Sequence, residues 1–182
     1  MKALVVYESM FGNSELVARA VGEGLGERTE TVVRDVATAP PGEVPDGIDL
    51  LVVGGPTHAF SMSRPTTRED AVRQGAGQGA GQGLVSRGLR EWLGALPPDL
   101  QGLSAAAFDT RVSRVRRLPG SAARSATRVL RRHRAELLAP PESFFVDDVA
   151  GPIGDDELAR ARAWGERLGV LLIADGDQVG AH

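Results

Sequence analysis

The chain has 182 residues, the length of one domain, and 42% of them are hydrophobic, enough to bury a single core. It contains no cysteine, which excludes disulfides, thiolate metal sites, cysteine nucleophiles and iron–sulfur clusters together. The net charge is −3, and the three histidines, His58, His133 and His182, show no metal-ligand spacing, so no metal site is expected.

Lys2–Tyr7 is a short apolar run rich in strand formers, and it reads as a buried strand rather than an export signal. No segment approaches the roughly 20 apolar residues of a membrane span. A cytoplasmic protein is expected, with neither membrane nor nucleic acid as a partner. After the loop Glu8–Ser14, apolar residues at Val17, Ala20, Val21 and Leu25 mark a helix face, with Gly26 as its stop. Glu30–Val36 reads as a second strand, Ala39–Gly47 as a proline- and glycine-rich loop, and Ile48–Val53 as a third strand closed by Gly54-Gly55-Pro56.

From Thr57 to Gly83 no apolar period is visible. Gln74–Gly83 is a near-repeat of glycine, alanine and glutamine, so a flexible glycine-rich loop is expected over 67–83. Leu84–Leu96 reads as a helix facing inward with Leu89, Trp92, Leu93 and Leu96. Leu103–Phe108 reads as a strand, Ser121–Leu138 as a helix and Ser143–Val146 as a strand. A last helix starts near Asp155, where acids suit the positive end of its dipole, with Leu158, Ala161, Gly165, Leu168 and Leu172 on one face. Residues 175–182 are expected to be a disordered tail, leaving 1–174 as one domain.

Doubly apolar strands alternating with helices imply an α/β fold: a three-layer, doubly wound, five-stranded parallel sheet of order 2-1-3-4-5. In that order ligands sit at the carboxyl ends of the strands beside strand 1. Three loops are thereby singled out: Glu8–Ser14, Gly54–Arg64 and Asp109–Pro119.

The first loop leads from a buried strand into a helix N-terminus, so unpaired backbone N–H groups face outward in a positive dipole field. Ser9, Asn13 and Ser14 add side-chain donors, and Gly12 allows close approach. A phosphate monoester is the expected guest. The alternative is that Asn13 or Ser14 caps the helix, which is compatible with it. Neither the GxxxxGK[ST] nor the GxGxxG pattern is present.

The run Val6-Tyr7-Glu8-Ser9-Met10-Phe11-Gly12-Asn13-Ser14, with Val17, Ala18 and Val21 behind it, resembles the flavodoxin signature. The resemblance covers residues 1–66, 103–112 and 140–173. It implies a flavodoxin-like fold and FMN as cofactor, with the phosphate held by Ser9, Met10, Phe11, Gly12, Asn13 and Ser14. It further implies that Pro56, Thr57, His58, Ala59 and Phe60 run along one face of the flavin ring. Phe60 is read either as the stacking side chain, with Met62 next, or as a hydrophobic peg anchoring the loop. His58 is read as a possible proton donor to the flavin or as a locally hydrogen-bonded histidine. After strand 4, Asp109 and Thr110 are assigned to the pyrimidine edge and Arg111 to charge balance. The family often places a tyrosine there, whereas the only tyrosine here is Tyr7.

These assignments imply an electron-transfer protein serving redox partner proteins. A reductase passing electrons from NAD(P)H to a quinone-type acceptor is the alternative, and a flavin-free interaction module the second; a monomer or homodimer is expected. One feature lies outside the resemblance. Residues 111–134 carry nine arginines and no acid, against 12 basic and 24 acidic residues elsewhere, so the segment is +9 and the remainder −12. It reads as a docking face for an anionic partner or as a solvated helix face.

Overall fold

The computed structural model describes residues 1–75, 87–117 and 119–179. Its parallel strands are β1 (Lys2–Tyr7), β2 (Glu30–Asp35), β3 (Leu50–His58), β5 (Ser104–Val112), β6 (Glu136–Leu137) and β7 (Glu142–Val146); β4 (Ser61–Met62) runs antiparallel to β3. The helices are α1 (Asn13–Gly26), α2 (Pro65–Arg73), α3 (Leu89–Gly94), α4 (Ala122–Arg132) and α5 (Asp155–Val179).

The sheet order is β2-β1-β3-β5-β6, with β7 paired to β5 and β4 to β3. Leaving aside the two-residue strands β4 and β6, this is the expected order 2-1-3-4-5. Successive side chains leave opposite faces of each strand, so apolar runs feed two cores. Leu4, Val6, Leu51, Val53, Ala105 and Ala107 pack beneath α3 and α4. Ala3, Val5, Leu50, Val52, Ala106 and Phe108 pack beneath α1 and α5. Phe108, Phe144 and Trp164 meet edge-to-face, with centroids 6.1–6.3 Å apart, and Trp164 thereby joins the buried face of α5.

Several boundaries differ from the sequence reading. β3 continues through Gly54-Gly55-Pro56 to His58, because Gly54 lies across from Phe108 in the ladder and yields its side-chain space to that ring. β5 likewise runs on to Val112, so Asp109, Thr110 and Arg111 are strand residues. Residues 67–73 belong to α2, which starts on Pro65 and has few apolar residues to betray it. The expected glycine-rich loop otherwise lies largely outside the described residues. Leu89, Trp92 and Leu93 are buried as expected, in a helix that begins only at Leu89. α4 stops at Arg132, where Arg134 turns left-handed (φ 68°) and the chain forms β6. α5 extends to Val179, past the point where a frayed tail was expected; 180–182 lie outside the described residues.

α1 and α5 cross in close contact. A Cβ on Gly24 would overlap the Arg162 carbonyl, and one on Gly165 the Val21 carbonyl, so the two glycines set the spacing of that layer. Gly165→Val should cost about 1–3 kcal/mol of stability by overpacking against backbone that cannot retreat. Urea unfolding of the variant checks this, and a stability unchanged or raised, as helix propensity alone predicts for replacing a helical glycine, would argue against it.

Candidate functional site

The carboxyl ends of β1, β3 and β5 open into a cavity of about 90 Å³. Its lining includes Ser9, Met10, Phe11, Asn13 and Ser14 from the first loop, Pro56, Thr57 and His58 from β3, and Thr110, Arg111 and Val112 from β5. Val146 and Val149 complete one wall.

The first loop is built as a cradle. Gly12, the N-cap of α1, holds φ 86°, a conformation that favours glycine, and it leaves the loop's open side clear. The first intrahelical bond runs from Leu16 N–H to the Gly12 carbonyl at 3.0 Å, so the N–H groups of Asn13, Ser14 and Glu15 have no acceptor within the helix. Ser14 Oγ lies 2.7 Å from Thr110 Oγ1, which ties the cradle to β5. Asn13 is wedged against Gly151, where a Cβ would come within 2.5 Å of Asn13 Oδ1. Ser9 Oγ is buried and has no hydrogen-bond partner among the described residues. A buried hydroxyl in that state is costly unless a ligand satisfies it.

The remaining assignments separate. Thr110 and Arg111 reach the cavity, but Asp109 does not. It points to the opposite side of the sheet, fully buried, and its Oδ2 accepts from Ala123 N–H at 2.9 Å. Thr57 Oγ1 accepts from Ala122 N–H at 2.9 Å, and Ser121 Oγ from Arg124 N–H at 3.2 Å. Three side chains therefore cap α4, and Asp109 is a cap rather than a contact for a pyrimidine edge. Strand alternation decides this: Asp109 and Thr110, adjacent in β5, must leave opposite faces.

Phe60 is 50% exposed and, like Ala59, lies outside the cavity lining. Ala59 (φ 44°) and Phe60 (φ 65°) form the two-residue turn between β3 and β4, the positive-φ geometry that twists a hairpin correctly. Such conformations cost non-glycine residues about 1–3 kcal/mol each and persist only where neighbours over-determine them. Here the Arg90 guanidinium donates to the Met62 carbonyl (2.7 Å), the Ser63 carbonyl (3.0 Å) and Ser61 Oγ (3.2 Å). Met62 itself is a core residue beneath α4.

Beside the cradle lies a polar cluster that sequence reasoning missed. Glu8, one residue before Ser9, is 2% exposed. Its Oε1 accepts from Ser63 Oγ at 2.5 Å and its Oε2 from Leu89 N–H at 2.7 Å. Arg68, 1% exposed, donates to Ser63 Oγ at 2.8 Å and pairs with Glu91 at 3.0 Å. A Cβ on Gly88 would overlap the Arg68 guanidinium and lie 2.9 Å from Glu8 Oε2. Burial pushes the Glu8 carboxyl above its ordinary value, opposed by the Ser63 hydroxyl, the Leu89 N–H and the Arg68 charge. The only hint in the sequence was an acid directly after a buried strand.

His58 sits at the end of β3. Burial, then the positive charge of Arg68, lower its pKa. The imidazole is therefore neutral at pH 7, and its usefulness is as a neutral N–H donor rather than as an imidazolium acid.

Neither a family model nor a curated protein sequence matches this chain. Solved structures do. A flavodoxin from the domain Archaea superposes with a TM-score of 0.62 at 20% identity, covering 94% of this chain and 99% of that one. The flavodoxin of Streptococcus pneumoniae TIGR4 gives a TM-score of 0.65 at 17% identity (93% and 99% covered). A flavodoxin, WrbA-like protein from Agrobacterium tumefaciens gives 0.58 at 14% identity (95% and 98%). Fold and comparisons together define a flavodoxin-like α/β protein.

Two outcomes test the site's electrostatics. Arg68→Met should cost about 3–5 kcal/mol, since it strands a buried carboxylate, and adding Glu8→Gln should recover part of that loss. Equal urea midpoints for the single and double variants would show that Glu8 is not held by Arg68. The folded pKa of His58 lies below its unfolded value, so stability contributed by neutral His58 is present above pH 6.5 and declines as pH falls toward the folded pKa. An NMR titration should find His58 more than half neutral at pH 6.5, where an ordinary histidine is half protonated.

Proposed function

We propose that this chain binds FMN and acts as an electron-transfer protein. The observation that carries the reading is the cradle after β1, with its unpartnered buried Ser9 Oγ and three N–H groups without intrahelical acceptors at one helix N-terminus. That donor set, with no lysine or arginine within the loop, fits a phosphate monoester on a neutral larger group. FMN, when bound, supplies one- and two-electron redox chemistry.

The chain's own residues would bind and orient it. Ser9, Asn13 and Ser14 with the α1 N-terminus hold the phosphate, while Pro56, Thr57 and neutral His58 border the ring along the end of β3. Thr110 braces Ser14, and the buried Arg111 follows it in the cavity lining. The solved flavodoxins with this fold support a flavin, at identities that carry the fold alone.

The wall made by Val112, Val146 and Val149 favours the second reading, an NAD(P)H-dependent reductase of a quinone-type acceptor. It is aliphatic and lacks an aromatic cover, with Val149 51% exposed, so a planar substrate has access to a ring held there.

Ser9→Ala separates ligand binding from folding. The serine hydroxyl has no partner among the described residues, so its removal should leave stability unchanged or slightly raised, whereas FMN affinity should fall roughly tenfold or more, as for a hydrogen bond to a charged group. Titration of FMN followed by quenching of flavin fluorescence reads the affinity, and urea unfolding the stability. Failure of the purified chain to bind added FMN, or equal affinity in the Ser9→Ala variant, would overturn the reading.

A further inference from the structure

Elsewhere on the surface the basic side chains are mostly matched by acids: Arg19 meets Glu15 at 2.7 Å, and Arg162 meets Glu27 at 2.8 Å. The arginine-rich segment is different. Arg117, Arg124, Arg128 and Arg131 are exposed and meet no carboxylate within 4.0 Å among the described residues, whereas Arg116 packs over the Phe145 ring, 5.7 Å from its centroid, in a cleft lined by Asp147, Asp155, Asp156 and Glu157. Arg124, Arg128 and Arg131 fall at i, i+4 and i+7, so they form one stripe about 10 Å long on the outer face of α4. The stripe begins at the helix N-terminus, where cations oppose the helix dipole, and α4 has no acid in its first turn. The local potential therefore adds up instead of cancelling.

That N-terminus stands at the cavity end of the sheet, because Thr57 and Asp109 cap it. It also carries an apolar anchor. Phe60 is the exposed tip of the β3–β4 hairpin, and Gly120 packs beneath it: a Cβ there would lie 2.7 Å from the Phe60 carbonyl oxygen and 3.0 Å from its Cβ. Ser61 Oγ and Ser125 Oγ, 3.0 Å apart, join the hairpin to α4 from the other side. A left-handed phenylalanine is thus presented to solvent beside the first turns of α4, which carry the arginine stripe. Aromatic and arginine side chains are the ones that dominate protein–protein hot spots.

We propose that Phe60 and the arginines Arg117, Arg124, Arg128 and Arg131 form a docking face for an acidic protein, which would meet this chain at the mouth of the cavity. The proposal takes its purpose from the electron-transfer reading, but the binding it describes does not require flavin. A compact acidic protein fits better than a nucleic acid, since the rest of the chain carries −12 and would repel a long polyanion extending beyond the patch.

The test uses two haem proteins of opposite charge as probes, acidic cytochrome b5 and basic cytochrome c, with a DNA duplex as a third ligand. Binding to the full chain is read by biolayer interferometry with and without added FMN. Cytochrome b5 should bind in about 20 mM salt and weaken at least about tenfold in about 200 mM salt, while cytochrome c should not bind. Arg124→Glu/Arg128→Glu/Arg131→Glu should lower the affinity for cytochrome b5 by about tenfold or more, whereas Arg167→Glu on the outer face of α5 should change it little. Phe60→Ala should weaken binding while leaving its salt dependence intact, because it removes apolar contact and no charge.

Circular dichroism confirms that the variants are folded. Binding that persists without FMN supports the face even if the chain proves to hold no flavin, so the two proposals fail separately. No binding of cytochrome b5, equal binding of cytochrome c, indifference to the triple reversal, or tighter binding of the duplex would overturn the docking face.

Discussion

A carboxylate withdrawn from water must find charge and hydrogen bonds in exchange, and the placement of Glu8 imposes that demand on three parts of the chain at once. It stands where β1 ends and the cradle begins. Ser63, following β4, gives it a hydroxyl; Leu89, the first residue of α3, gives it an N–H; and Arg68 of α2 supplies the positive charge nearby. The chain around residue 88 must come so close that only glycine fits. The cradle is therefore fixed from behind by elements that share no continuous sequence with it, and its open side faces the cavity.

The same economy shapes the other side of the cavity. The N-terminus of α4 is capped by Thr57 from β3, Asp109 from β5 and its own Ser121. These caps draw the end of β3 toward α4 and hold the hairpin at 59–60 in a conformation that its residues would not choose alone. A cavity wall, a helix start and an exposed phenylalanine are consequences of one set of hydrogen bonds. The cost is charge: a helix with an arginine in its first turn, two more along the same stripe and no acid in that turn is tolerated only where that charge has a use or is fully hydrated.

The cradle was legible because it is local. A buried strand, a glycine and hydroxyl residues entering a helix lie within nine consecutive residues, and their geometry follows from strand and helix rules alone. The ring side was less legible. Pro56, Thr57 and His58 reach the cavity as read, but Phe60 and Ala59 do not line it, and Asp109 faces away from it. The extension of β3 and β5 by several residues accounts for the difference. A glycine that looks like a loop signal, Gly54, is instead the space that Phe108 needs in the neighbouring strand.

By itself the sequence determined the strand order, the two apolar layers and the strand–loop–helix turn at Ser9–Ser14, because all three rest on periodicity and on contacts between near neighbours. Tertiary structure decided which face each polar side chain took at the strand ends, that Arg68 would be buried against Glu8 and Glu91, and that the arginine stripe would start at the cavity's edge. Those outcomes depend on pairing register and on contacts between residues far apart in the chain. One added residue of strand reverses a side chain's direction, and no local pattern records where that strand will stop.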